Sequence, residues 1–561
     1  MPELRQIDPD LIAHPVFDPA IRDLVVRWPL LTYVDILVVV DPSIAVGPSP
    51  TGFGISRVID LIRTTRIGCM RFRVDIAQRG LGSPSINPSP SATQPKYNNF
   101  RFNMTDGGDH VIDKYEQIWC FGFEPDNNGT LNDAPVEASG NFPTTDPELE
   151  KLDEWMTEKK GGLFGTGDHH YIGASMCHKI PRLGTMRRWT NADGVPPQGK
   201  FNDPLAPDRI DTLRPPSPAF EPGAPGGPAA LSNTPEQGDL TIQPVQWVPE
   251  NSVQLTLFKW KRRPHQVLCH PTLGPIDVMP DHAHEGLCVE SPDLNATKKF
   301  NSDPEYPDAI NGGAKPRPKV IAYGSNLGDP PYNFQKGPQP ARSRNPMIAV
   351  YDGHGAGVGR VATDSTWHHW MDVNIDNLAI ADNNDWKKVK RYFQNLAVWL
   401  CPPGYTTRCT HLSIVTSHFE YVGFQEYYLK APICELGIAL RDHLRLFYGP
   451  CWVTQYVTFV LRDFKLLKEE LLPEIFEKMP ELGLDGELLE TLVLGHMVQA
   501  TMEPVDAIKN GGVELEKLKV EPLPEPEKLF AEPVQAAVKE YTELCRKKCN
   551  EELRGLDAIF G

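Results

Sequence analysis

Four short segments concentrate the groups in this chain that can move protons or hold metals. GDHH at 167–170, PDHAHEG at 280–286, YDGHGAGVGR at 351–360 and DSTWHHW at 364–370 together carry seven of the 16 histidines. His282 and His284 are two residues apart, so extended backbone points them the same way, with Asp281 and Glu285 alongside. Imidazole and carboxylate donors together suit a divalent Zn, Mn or Fe ion, and an open coordination position on that ion would make hydroxide available at neutral pH. Asp168, His169 and His170 form a second such cluster, and His368 with His369 a third. On this reading His169, His282, His284 and His369 are candidate metal ligands. Asp168, His169, His284 and Glu285 are the candidate catalytic groups, as ligands or as general acid and base. Two alternatives stand beside it: a metal-free polar pocket, and separate structural roles in which the rings bond backbone carbonyls at loop crossings.

Substrate contacts are sought nearby. Arg182 and Arg187 follow the 167–170 turn and are placed to grip a carboxylate or phosphate through bidentate bonds; the alternative is pairing with the abundant acids. His170 and His368 would line the same mouth. His354 lies in DGHGAGVG, whose glycines would let it approach a substrate. Dinucleotide-binding glycines follow a strand and open a helix, whereas these lie between two candidate strands, so a flexible hairpin and no nucleotide cofactor are expected.

These clusters need elements to bring them together. VDILVVV at 34–40 is a continuous apolar run of strand length, the pattern of a strand buried on both faces of a parallel sheet. A helix from about 55 carries Val58, Ile59 and Ile62 on one face. Strands are expected at 70–76 and 116–123, then a helix over 146–160 with Asp146 as its cap and Leu149, Leu152, Trp155 and Met156 as its stripe. That helix leads into GLFGTGDHH, where small residues at a strand end permit a sharp turn at the carboxyl edge, the usual ligand site of an open α/β sheet. Further strands are expected at 253–260, 265–270, 320–323, 347–351 and 360–363. Beyond about 380 the period becomes helical, over 386–400, 434–448, 452–479, 486–502 and 533–557, with a Pro/Glu/Lys linker over 503–531.

Composition sets the outer limits. The 561 residues include 55 prolines and 45 glycines, so long irregular loops are expected, chiefly over 191–240 and 287–318. A net charge of −17 opposes general binding to nucleic acid. The basic, aromatic patch FKWKRR at 258–263 runs against that balance and reads more simply as a strand with solvated charges. No apolar run of transmembrane length occurs, and the opening residues lack an apolar secretory core, which predicts a cytoplasmic protein. Eleven cysteines without a CxxC pair fit reduced thiols.

The strand VDILVVVD, the strand EQIWCFGF, the helix ELEKLDEWMTEKKGG and the turn GLFGTGDHH together resemble the class I glutamine amidotransferase-like superfamily, particularly its ThuA-like branch. The resemblance spans a little over half the chain, from 34 to about 374. It implies a flavodoxin-like, doubly wound, mostly parallel α/β sheet, here with long Pro/Gly-rich insertions and a C-terminal helical region. The expected organisation is a lead-in over 1–32, the α/β domain over 33–380, a helical region over 381–502, and a linker with a terminal amphipathic helix over 503–561. Glutaminases of the family place a cysteine in a G-x-C-x-G elbow, where this chain has Gly165-Thr166-Gly167-Asp168-His169. Glycine cannot attack a carbonyl, so glutamine hydrolysis is not expected, although Cys177 lies ten residues beyond the turn. The expected function is hydrolase-type chemistry on a small polar or carbohydrate-like substrate. The alternative is a non-catalytic binding or assembly protein, with homo-oligomer or partner contacts through the C-terminal helices.

Overall fold

The computed structural model describes residues 32–42, 44–49, 54–68, 70–122, 143–167, 174–189, 243–249, 263–280, 287–310, 312–326, 343–405, 409, 432–464, 466, 486–509 and 526–560. Expectations for 1–31, 191–240 and 253–260 therefore lie outside the described residues.

The sheet is built on β1 (Thr32–Val40), whose apolar run alternates between two buried faces. Val34, Ile36, Val38 and Val40 enter one core; Leu37 and Val39 enter the other. A strand buried on both sides has no face to leave polar, which is why its sequence reads as continuous. Around it lie β2 (Met70–Gln78), β3 (Gln117–Gly122), β4 (Gly162–Gly167), β5 (Lys319–Asn326), β6 (Ser343–Tyr351) and β7 (Val361–Asp364). Their order is β5-β6-β7-β4-β3-β1-β2, and two-residue strands extend both ends. From β2 to β7 every neighbouring pair is parallel. β5, β6 and β7 pair antiparallel. The molecule is thus α/β with a mixed, mostly parallel sheet.

On the first face lie α1 (Ser56–Thr64), α3 (Asp372–Ala381) and α4 (Asn384–Trp399), and on the second α2 (Asp146–Glu158). The cap of α2 is Thr145, one residue before the expected Asp146, in a reciprocal box with Glu148. Glu148 also accepts from Arg79 at 2.7 and 3.2 Å, with both side chains 1% exposed. The double glycine after α2 answers a packing need. A Cβ on Gly161 would sit 2.1 Å from the Trp155 ring, and one on Gly162 would sit 2.0 Å from the Leu400 carbonyl oxygen.

The helical region comprises α5 (Ile433–Tyr448), α6 (Pro450–Asp463), α7 (Gly486–Lys509) and α8 (Pro526–Phe560). Its apolar faces join the first core, so it packs on the sheet layer. Arg263 ties the two parts by donating to the Pro450 carbonyl at 2.9 Å. The expected linker narrows, because α7 continues to Lys509 and α8 starts at Pro526 and passes through Pro533. Proline fits a first helical turn, where its missing N–H has no intrahelical partner.

Candidate active site at the carboxyl edge of β4 and β7

β4 and β7 are parallel neighbours, stitched by side chains from each. The Thr363 hydroxyl donates to the Gly165 carbonyl at 2.9 Å, and the Thr166 hydroxyl lies 3.0 Å from the Asp364 carbonyl and 3.3 Å from that of Thr366. Both strands therefore end together, at Gly167 and Asp364.

Asp364 is fully buried, and its carboxylate is met on several sides. Oδ2 accepts from His369 Nδ1 at 2.7 Å, Tyr392 OH at 3.2 Å and Trp370 Nε1 at 3.4 Å. Oδ1 accepts from the Thr366 amide at 3.3 Å. A carboxylate surrounded by donors fixes the tautomer of its histidine, with the proton on Nδ1 and the lone pair on Nε2. His369 is itself fully buried, and among the described residues its Nε2 has no hydrogen-bond partner. The Ser365 hydroxyl is likewise buried and unpartnered. Leaving a buried polar atom unmet costs about 1–3 kcal/mol, so these two atoms are open to a water or a ligand group.

The turn carrying His369 is held from both ends. Ser365 N donates to Met347 O at 2.8 Å, and Asp372 N donates to Gly54 O at 2.7 Å. The Asp372 carboxylate accepts from Ser56 Oγ at 2.7 Å, Arg57 N at 2.9 Å and Ser56 N at 3.1 Å, so it caps α1. Burial pushes the Asp372 carboxyl upward, while the Ser56 and Arg57 donors pull it back down. That helix start, which open sheets often use for ligand phosphates, is filled by the protein's own anion. Between these anchors the Trp370 ring packs against Phe164 at 4.4 Å and Phe393 at 4.8 Å. His369 can therefore move little.

The other sequence candidates separate. His368 is buried, stacks on Trp367 at 3.9 Å and lies 3.3 Å from Asn374 Oδ1, so it is a packed neighbour of the pair. Arg187 is 1% exposed, lies over the Trp189 ring at 4.2 Å and donates to the Gly167 carbonyl at 2.9 Å. It holds the last residue of β4. Arg182 is a correction: it has no exposed surface, it approaches Asp153 at 3.5 Å, and its amide donates to the Glu305 carboxylate. It holds the 287–310 segment against α2 and does not face a substrate. His354 is a second correction. It lies in the turn Gly353–Ala356 between β6 and β7, and β7 begins there, so this is the amino edge of the parallel strands. Cys177 is fully buried, and burial raises its thiol well above the usual range, which leaves it protonated and unsuited to attack.

Asp168, His169, His170, Asp281, His282, His284 and Glu285 lie outside the described residues. Their described flanks meet at one edge. Gly167 O accepts from Arg187, the Arg188 amide donates to Leu287 O at 3.0 Å, and Cys288 N donates to Pro346 O at 3.0 Å, next to the Met347 that holds Ser365. Among the described residues no group of three or more His, Cys, Asp or Glu side chains is arranged to hold a metal ion. Among them, too, no helix is long and apolar enough to cross a membrane.

Sequence reading underweighted Asp364, Tyr392 and Thr166. Asp364 opens the DSTWHHW segment, and a carboxylate at a strand's last residue five positions before a histidine was the available signal. Tyr392 comes from α4, and no local spacing links it to the site. Comparison with protein-family models, with curated proteins and with solved structures finds no match to the chain.

Proposed function

We propose that the protein is a hydrolase-type enzyme in which His369 is the general base and Asp364 its orienting carboxylate. The observation that carries this reading is a fully buried imidazole with Nδ1 on a carboxylate and an unpartnered Nε2, at the carboxyl edge of two parallel strands. His369 Nε2 would take the proton of a water or substrate hydroxyl, and Asp364 would stabilise the imidazolium that forms. The elbow has no cysteine, so water activated by His369 is a better nucleophile here than an acyl-enzyme route. A polar or carbohydrate-like substrate is in keeping with the hydroxyl and carboxylate character of this edge.

The strand order β2-β1-β3-β4-β7, read along the chain as second, first, third, fourth, fifth, supports a flavodoxin-like sheet and with it the amidotransferase-like resemblance. In this reading Asp168, His169, His284 and Glu285 join the pair. A divalent metal held by His169, His282, His284 and His369 Nε2 would supply an activated water. Elemental analysis of the purified protein tests the metal, and absence of stoichiometric Zn, Mn or Fe would restrict the proposal to acid–base chemistry.

A non-catalytic binding protein is favoured by one observation: His369 has no exposed surface. A panel of nitrophenyl esters, glycosides and simple amides separates the two. The enzyme reading predicts turnover that His369→Ala lowers by about 10²–10⁴-fold. Turnover unchanged in His369→Ala, or none at all, supports the binding reading.

A further inference from the structure

Helix α8 carries one apolar stripe that the described residues cover for only half its length. Phe530, Val534, Ala537 and Tyr541 are buried in the first core, and His496 of α7 meets Glu540 at 2.8 Å. Past Tyr541 the stripe continues as Cys545, Cys549, Leu553, Leu556 and Ile559, at steps of four, four, three and three residues, which keeps them on one side of a helix. Leu553, Leu556 and Ile559 are 59, 51 and 72% exposed, and Cys549 is exposed as well. Apolar residues repeated along an exposed helix mark an interface.

The charges beside the stripe say what fits it. Arg546, Lys547 and Lys548 precede Cys549, and Glu551 and Glu552 follow Asn550. The segment is therefore basic on one side of Cys549 and acidic on the other. A second copy laid parallel would set the basic triplet against itself. Laid antiparallel about a two-fold axis at Cys549, it sets Arg546 opposite Glu552, Lys547 opposite Glu551 and Cys545 opposite Leu553, while Glu543 falls beside Arg554. Every one of these contacts occurs twice, as an isologous interface requires. Within one chain, among the described residues, Lys547 reaches only its own Glu551, at 3.9 Å, with both side chains mostly exposed.

We propose that the exposed end of α8 pairs with the same segment of a second copy, antiparallel, with Cys549 on the two-fold axis. This reading is independent of any catalytic role. One helix pair is small for a specific interface, so the dimer is expected to dissociate in the micromolar range.

Light scattering on the full chain across a concentration series, combined with cross-linking by diamide, tests it. Diamide takes two electrons and two protons from a pair of thiols and is reduced to the hydrazine, so a disulfide dimer reports cysteines that face each other. The expected results are a dimer at high micromolar concentration and a cross-link that survives Cys545→Ser and is lost in Cys549→Ser. Leu553→Asp with Leu556→Asp should give a monomer of unchanged helix content. Lys547→Glu should weaken the dimer, and adding Glu551→Lys should restore it. A chain that stays monomeric at hundreds of micromolar overturns the proposal. So does a dimer that persists in the double aspartate variant, or one that cross-links only through Cys545.

Discussion

His369 and His354 occupy opposite edges of the sheet, and each has a buried Nε2 with no hydrogen-bond partner among the described residues. His369 sits where β4 and β7 end, with its other nitrogen on the Asp364 carboxylate. His354 sits where β7 begins, in a glycine-rich turn, and among the described residues no carboxylate is hydrogen-bonded to it. Burial, then the nearby Arg360 guanidinium, hold the His354 ring well below the usual histidine range. His354 keeps part of its surface exposed and His369 none, so exposure alone would rank His354 as the more reactive. They differ in what orients them, and a general base needs a fixed tautomer as well as a free lone pair. The amino edge is spent on packing: a Cβ on Gly359 would lie 1.9 Å from the Gly161 carbonyl oxygen.

The contrast can be broken most severely at Asp364. Asp364→Ala strands the His369, Trp370 and Tyr392 donors in the core and should cost about 3 kcal/mol or more of stability, together with any turnover. Urea unfolding compared with wild type reads the first effect, and a loss below 1 kcal/mol would show that the carboxylate is not the hub described. Next comes the pair of alanine variants. His369→Ala should lower turnover by about 10²–10⁴-fold, whereas His354→Ala should leave it within about twofold, both read as kcat/KM. A smaller effect is expected at Gly359, where alanine overpacks the amino edge. It should cost roughly 1–3 kcal/mol in stability and leave kcat/KM nearly intact.

The smallest effect is a pH dependence. As pH falls through about 6.5 the unfolded chain takes up a proton at His354 and the folded protein does not, so stability present at pH 7 declines toward pH 5. His270, pushed down to about 4 by burial and then by Arg391, acts with the same sign. His354→Gln should flatten the decline by roughly 1 kcal/mol between pH 7 and pH 5.5. Parallel slopes in variant and wild type would remove His354 as a contributor.

Much of the scaffold is legible in the sequence because it rests on local signals. The apolar run of β1, the stripe of α2 and the helical period of α4 and α5 each describe one element meeting one core. The site is less legible, because its geometry depends on strand direction and on partners far along the chain. The hairpin expected at DGHGAGVG joins antiparallel β6 and β7, but only the parallel pairing of β7 with β4 shows that it lies at the amino edge, away from Asp364. Arg182 reads as a free cation until Glu305 and Asp153 arrive from other segments. Asp364 and His369 lie five residues apart in the sequence, but Tyr392, Trp370 and the Asp372 clamp on α1 make the pair a fixed one. The linker expected over 503–531 is shorter than its composition suggests, since α7 runs on to Lys509 and α8 begins at Pro526 and carries Pro533 in its interior.

Nitrogen-15 NMR of the His369 ring, assigned by comparison with His369→Gln, tests the orienting pair without a substrate. The account predicts a proton on Nδ1 and a bare Nε2, with the Nδ1 proton shifted by its carboxylate partner and the pattern lost in Asp364→Asn. A ring protonated at Nε2 in the wild-type protein would contradict it.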